Sequence, residues 1–323
     1  MKLKAFILLL IVLPVTVISA QKKEDYKPYT IQSTYNKLKK KYPNVSPIQP
    51  LISNKIKLKE NRVYKKVNQT KLKLDLYLPK SNIKNQRFPL VFLIHGGGWL
   101  TGQKENQRVM AQHLALHGYI AVTASYRLGL EAPYPAAVID LKDALVWLRQ
   151  HAKKYKIHTG QISVLGTSAG GQLATLIGVT PNTKLYEPDR FVSEDVQAII
   201  NIDGIVSFIH PEAHQEGAMA SIWLNGTRES NWKNWKEASP LEYVNENAPP
   251  MLFINSSQDR FHAGRDDLIS ILKNHDIYNE VHTLEDSPHS FWLLHPWFEP
   301  TLKITVNFLN KLFYPYKKEM KIE

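Results

Sequence analysis

The chain has 323 residues, 43% hydrophobic and 22% charged, with 41 Lys and Arg against 29 Asp and Glu, a formal charge of +12. That length and balance exclude a disordered or collagen-like chain and fit one large α/β core or two small ones. The absence of cysteine excludes disulfides and a lipidated N-terminal Cys, so stability must come from the core, while the cationic excess favours polyanions.

Residues 1–20 carry Lys2 and Lys4, an apolar run over 5–17, and Ile18-Ser19-Ala20 before a polar stretch. This layout predicts a secretory signal peptide cut after Ala20, and a secreted or periplasmic protein. The run is short for a spanning helix and contains Pro14, so no stable membrane insertion is expected once it is removed. Residues 21–60 form a basic, proline-punctuated lead-in of weak periodicity, expected to hug the surface or to be partly mobile. Its lysines, in "YNKLKKKYP" and "NKIKLKE", read as solvated faces. No zinc-finger or nucleic-acid-binding signature accompanies them, so nucleic acid is not an expected partner.

A domain is predicted over 61–323. "VYKKV" (63–67), turn residues at 68–70, and Leu72, Leu74, Leu76 and Leu78 alternating with polar residues predict an antiparallel hairpin. Continuous apolar runs follow at 89–94, 119–124, 162–166, 196–202 and 250–255, as expected of strands buried on both faces of a parallel sheet. Helical periods lie between and after them, over about 105–117, 136–154, from 168 onward, 264–273 and 301–313. The alternation predicts an α/β fold with a doubly wound, mostly parallel sheet and an antiparallel N-terminal hairpin. Ligands of such folds sit at the carboxyl ends of the strands. The stretch 204–248, rich in Trp, His, Asn and Glu, is expected to be an insertion over that edge.

Two motifs carry chemistry. Gly166-Thr167-Ser168-Ala169-Gly170 fits G-x-S-x-G between an apolar strand and a helical pattern, where small flanking residues let a serine sit exposed in a tight turn. A serine attacking a carbonyl creates an oxyanion, which backbone amides hold well when no side chain obstructs them. The glycines of "FLIHGGGWLTG" (92–102) end a rigid strand and satisfy that need, and the stretch lacks the features of a phosphate loop.

With both motifs the sequence resembles the α/β-hydrolase superfamily. The resemblance implies oxyanion donors at Gly97, Gly98 and Ala169, and a triad in the chain order Ser, Asp/Glu, His. His289, in "EDSPHSFW", lies between a predicted strand and the last helix, where the superfamily keeps its histidine; His282 falls inside the strand and His295 beyond the loop. For the acid, relatives commonly read H-G-x-x-D after the preceding strand. Here the stretch is Asn255-Ser256-Ser257-Gln258-Asp259, so Asp259 is the expected acid, with Asp266 or Asp267 as alternatives.

"SYRL" (125–128), "YPAAVIDLKDALVWLR" and "ASPLEYVNENAPPMLFI" are similar to a secreted carbohydrate-esterase branch containing feruloyl and acetyl esterases. That narrower resemblance covers about residues 60–314. It implies a serine esterase acting on acylated cell-wall polysaccharide, without cofactor or metal. His210 and His214 read as polar surface. Trp99, Tyr126, Trp223 and Trp292 are the expected substrate-binding aromatics, with Trp232 and Trp235 nearby in the insertion. The rival readings are a feruloyl esterase, a peptidase or lipase, and a silent polysaccharide-binding module.

Overall fold

The computed structural model describes residues 26–83, 85–186, 191–215 and 217–315. The expected signal peptide lies outside them. Chain order begins with α1 (Ile31–Leu38), β1 (Ser46–Pro47) and the hairpin β2 (Ile56–Val67) and β3 (Thr70–Pro79). Then come β4 (Phe88–Ile94), α2 (Arg108–Leu116), β5 (Ile120–Ala124), α3 (Ala136–Gln150), α4 (Ala152–Tyr155), β6 (Ile157–Thr167) and α5 (Ala169–Val179). The second half runs through β7 (Ala198–Ile202), α6 (Ala218–Trp223), α7 (Trp232–Glu237), β8 (Met251–Ser256), α8 (Arg265–Asn274), β9 (Asn279–Leu284), β10 (Leu294–His295) and α9 (Phe298–Phe313).

Among the described residues, eight strands form one sheet in the order β2-β3-β5-β4-β6-β7-β8-β9, parallel from β5 onward, with β2 and β3 antiparallel at one edge. This is the doubly wound sheet the apolar runs predict. Alternate residues of β4 explain why those runs are continuous: Leu90, Phe92 and Ile94 enter the core shared with α3, α5 and α8, while Val91 and Leu93 enter the core shared with α2 and α9. Both faces are covered, so every residue of β4 is buried. Asn68 turns the hairpin with φ 51°, a conformation asparagine tolerates better than most side chains.

Helix boundaries shift for local reasons. The predicted helix over 136–154 breaks at His151, and Lys156 ends α4 in the left-handed region. The predicted 105–117 helix opens as a 3-10 turn over Lys104–Gln107 before α2 begins. α9 starts at Phe298, earlier than expected, because Pro300 fits in a first turn whose N–H groups have no intrahelical acceptor.

The lead-in and the 204–248 stretch both take defined structure. Residues 26–50 are packed: Thr30 caps α1 in a reciprocal capping box, Val45 and Ile48 are buried, and β1 pairs antiparallel with β10. Leu51 N–H and C=O are both bonded by the Gln112 side chain. The last part of the lead-in, from Ile56, is itself the edge strand β2. The 204–248 stretch, for its part, holds α6 and α7 over an aromatic cluster in which Trp223 and Trp235 are buried.

Candidate active site

β4, β6 and β7 end side by side in register, Ile94 against Gly166 and Thr167 against Ile202. The residue after each end is therefore delivered to one place. After β6 this is Ser168, with φ 54° and ψ −126°, a strained backbone of the kind that marks functional turns. The turn closes only because its glycines lack side chains: a Cβ on Gly166 would stand 1.8 Å from the Gly170 carbonyl oxygen. Ser168 N–H donates to Ile202 O at 2.8 Å, tying the bend to the neighbouring strand.

After β7 comes Asp203, also at positive φ (54°) and fully buried. Its Oδ1 accepts the Ser256 N–H at 2.8 Å, and its Oδ2 accepts His289 Nδ1–H at 2.7 Å. That bond leaves the His289 Nε2 lone pair free to accept the Ser168 hydroxyl, at 2.9 Å. The structure thus joins Ser168 and His289 as expected, and corrects the acid. Asp259 lies in a 3-10 turn past β8 with its side chain fully exposed, 3.8 Å from His262. Asp266 is drawn to Arg265 and Asp267 to His210. The physical reason is register: the side chain directly at the end of β7 lies beside Ser168, whereas Asp259 is carried outward by the turn that follows β8.

Burial opposes ionisation of Asp203. The imidazoles of His262 and His289, with the Ser256 N–H, outweigh that penalty and hold its carboxyl well below the usual carboxylate range. His262 Nε2 stands 3.5 Å from Oδ1. Phe261 stacks on the His289 ring with centroids 3.5 Å apart, and Trp292 meets its edge at 5.2 Å. These contacts hold the ring in place.

The glycine loop after β4 wraps the same place. A Cβ on Gly96 would lie 2.9 Å from Ser168 Cβ, and Gly97, at φ 125°, bends so tightly that a Cβ there would meet Thr101 O at 2.2 Å. Ala169 opens α5, so its N–H belongs to the first-turn amides that no intrahelical carbonyl accepts, at the positive end of the helix dipole. Met219 of α6 packs over Gly98, its Cε only 2.5 Å from where a Cβ would sit.

His95 braces the loop from behind. Its Nδ1 pairs with Gly96 O at 2.9 Å, and its ring stacks on Tyr126, whose hydroxyl donates to His95 O. Burial holds the imidazole down at about 4, against the pull of the Gly96 carbonyl. In the unfolded chain it titrates near ~6.5, so the unfolded state takes up protons first as pH falls. Stability associated with His95 is full above that value and is lost between about pH 6.5 and 4, a cost of roughly 3 kcal/mol. Melting curves over this range should show the loss in the wild type and a flatter profile in His95→Asn; parallel profiles would contradict the assignment.

The expected substrate aromatics are buried. Trp99, Tyr126, Trp223 and Trp292 are all no more than 5% exposed. Trp99 stacks on Trp223 at 5.2 Å and its indole N–H donates to Gln172. Tyr126 edges a cleft of about 320 Å³ behind the glycine loop, with Lys71, Lys104 and Glu131. The four support the loops from within and do not form an exposed stacking surface. Trp232 alone of the insertion tryptophans is substantially exposed. The sequence pattern does not single out His262 or Phe261; Asp203 directly follows the apolar run "AIINI", which makes it a candidate acid without deciding between it and the acids after β8.

No cluster of three or more His, Cys, Asp or Glu side chains able to hold a metal occurs among the described residues.

The family model described as BD-FAE matches residues 74–264, more than half of the chain. It takes in the glycine loop, Ser168 and Asp203 and ends before His289. LipM of Mycobacterium tuberculosis, a probable carboxylic ester hydrolase, is 32% identical over 178 residues, 53% of this chain and 41% of its own length. Esterase LipC of the same organism is 28% identical over 178 residues, 53% of this chain and 44% of its own. The chain thus spans less than half the length of these curated relatives. Among solved structures, the esterase Est2 of Thermogutta terrifontis is 26% identical with a TM-score of 0.68, covering 83% of this chain and 97% of its own.

Proposed function

The chain belongs to the BD-FAE family and has the α/β-hydrolase fold, and we propose on that premise that it is a secreted or periplasmic serine esterase removing short acyl groups, acetyl above all, from acidic cell-wall polysaccharide. One observation carries the reading: the unbroken relay Ser168 Oγ–H to His289 Nε2 at 2.9 Å and His289 Nδ1–H to Asp203 Oδ2 at 2.7 Å.

Ser168 Oγ attacks the ester carbonyl carbon as His289 Nε2 takes its proton, and Asp203 stabilises the imidazolium without being protonated itself. The N–H groups of Gly97, Gly98 and Ala169 hold the oxyanion. As the tetrahedral intermediate collapses, His289 returns the proton to the departing sugar hydroxyl. Water, deprotonated in turn by His289, then cleaves the acyl-enzyme and frees Ser168.

Support for a short acyl group comes from Met219, which closes on the glycine loop, and from Est2 structures with bound propionate and butyrate, 25% and 26% identical to this chain. Support for an acidic polymer comes from the hairpin. Lys66 and Lys71 face each other directly across β2 and β3, with Lys73 two residues on. Like charges so placed repel one another and are relieved beside a polyanion. A feruloyl group is the alternative acyl, but it would have to find room where Met219 and the buried tryptophans now pack.

Acetate release from acetylated pectin should exceed that from acetylxylan at low salt, and the difference should shrink as added salt shortens the screening length to about 10 Å at 0.1 M. Equal rates on both polymers, indifferent to ionic strength, would remove the acidic-polymer reading while leaving the esterase intact.

A further inference from the structure

The loop that carries His289 is held by a part of the chain outside the BD-FAE match at 74–264. Tyr29, just before α1, donates its hydroxyl to Ser290 Oγ at 3.0 Å. Ser290 follows His289 directly, is buried, and adopts φ 74°, a left-handed conformation that costs a serine energy unless its surroundings enforce it. The Trp292 side chain, whose ring makes a T-shaped contact with His289, lies close to the same hydroxyl. Burial pushes the Tyr29 phenol well above its ordinary range, so it stays neutral and able to donate.

The other end of Tyr29 is equally fixed. Its carbonyl accepts Asn106 Nδ2–H at 2.9 Å, from the turn leaving the glycine loop, and Thr30 is locked as the cap of α1. Further along, Ser46 pairs with His295 and Pro47 with Leu294, and Ile48 N–H donates to Leu293 O. The arm therefore grips the segment that follows His289 at two points, Ser290 and residues 293–295, while resting on the exit of the glycine loop.

We propose that Tyr29 is a positioning residue for the reaction above: through Ser290 it fixes the loop bearing His289, so that the N-terminal arm completes the active site. The inference rests on the proposed Ser168 chemistry. Proton transfer requires Nε2 within hydrogen-bond reach of Oγ, and small misplacements of a catalytic group lower rate steeply without changing how substrate binds.

The test uses the full chain carrying Tyr29→Phe, Ser290→Ala, both together, or Ser168→Ala, with 4-nitrophenyl acetate as substrate. Tyr29→Phe removes only a hydroxyl. Each single change is expected to lower kcat about tenfold with KM and melting temperature unchanged, and the double variant to be no slower than either, as befits one shared interaction. Wild-type kcat in Tyr29→Phe, or a loss matched by a rise in KM or a fall in melting temperature, overturns the positioning role. Ser168→Ala separates the two ideas: if it keeps the wild-type rate the esterase reading itself fails, and if it is inactive while Tyr29→Phe is normal, only the role of the arm falls.

Discussion

Replacing Ser168 with alanine is expected to lower kcat for an activated acetyl ester by a factor on the order of 10⁶. The size follows from what is lost. Without Oγ there is no acyl-enzyme, and His289 has no hydroxyl to deprotonate. What remains is the oxyanion loop and the first turn of α5, which can still favour attack by water by a residual factor of about 10³ to 10⁴ over the uncatalysed reaction. KM should change little, since the hydroxyl contributes little ground-state binding. Steady-state kinetics measure both, and because the substitution deletes one oxygen at a half-buried position, circular dichroism and melting should match the wild type.

The second large effect separates two aspartates. Asp203→Asn should lower kcat by about 10⁴-fold, because with the amide oxygen held by the Ser256 N–H the amide NH2 donates to His289 Nδ1 and forces the ring proton onto Nε2, the wrong tautomer to accept from Ser168. The side chain is buried between Ser256 N–H, His262 and His289, so solvent cannot take its place. Asp259→Asn should leave kcat within about twofold, as expected for an exposed surface change. The reverse outcome, an active Asp203→Asn and an inactive Asp259→Asn, would mean that the turn after β8 refolds to bring Asp259 to His289.

These contrasts also show what could be read from sequence. The parallel strands were legible because each is buried on both faces, which leaves an uninterrupted apolar run. Ser168 and the glycine loop were legible because their geometry tolerates few residues, as the 1.8 Å approach at Gly166 shows. His289 was legible by its place between β9 and α9. The acid was not, since an aspartate can reach the histidine from the end of either β7 or β8, and only the three-dimensional path of each turn decides. The buried state of Trp99, Trp223 and Trp292 was equally hidden: tryptophans near a catalytic loop suit a binding face and a supporting core alike. The docking of the arm depends on contacts between residues as far apart as Tyr29 and Ser290, and its weak periodicity carried no trace of them.

Covalent labelling shows whether Ser168 is a nucleophile activated by His289 and Asp203. The protein is treated with an alkyl fluorophosphonate, its intact mass is measured, and the modified peptide is mapped. One adduct is expected, on Ser168, formed in step with the loss of esterase activity and slowed severely in Asp203→Asn but not in Asp259→Asn. Full inhibition with the adduct on another residue, or undiminished hydrolysis by a fully labelled Ser168, would contradict it.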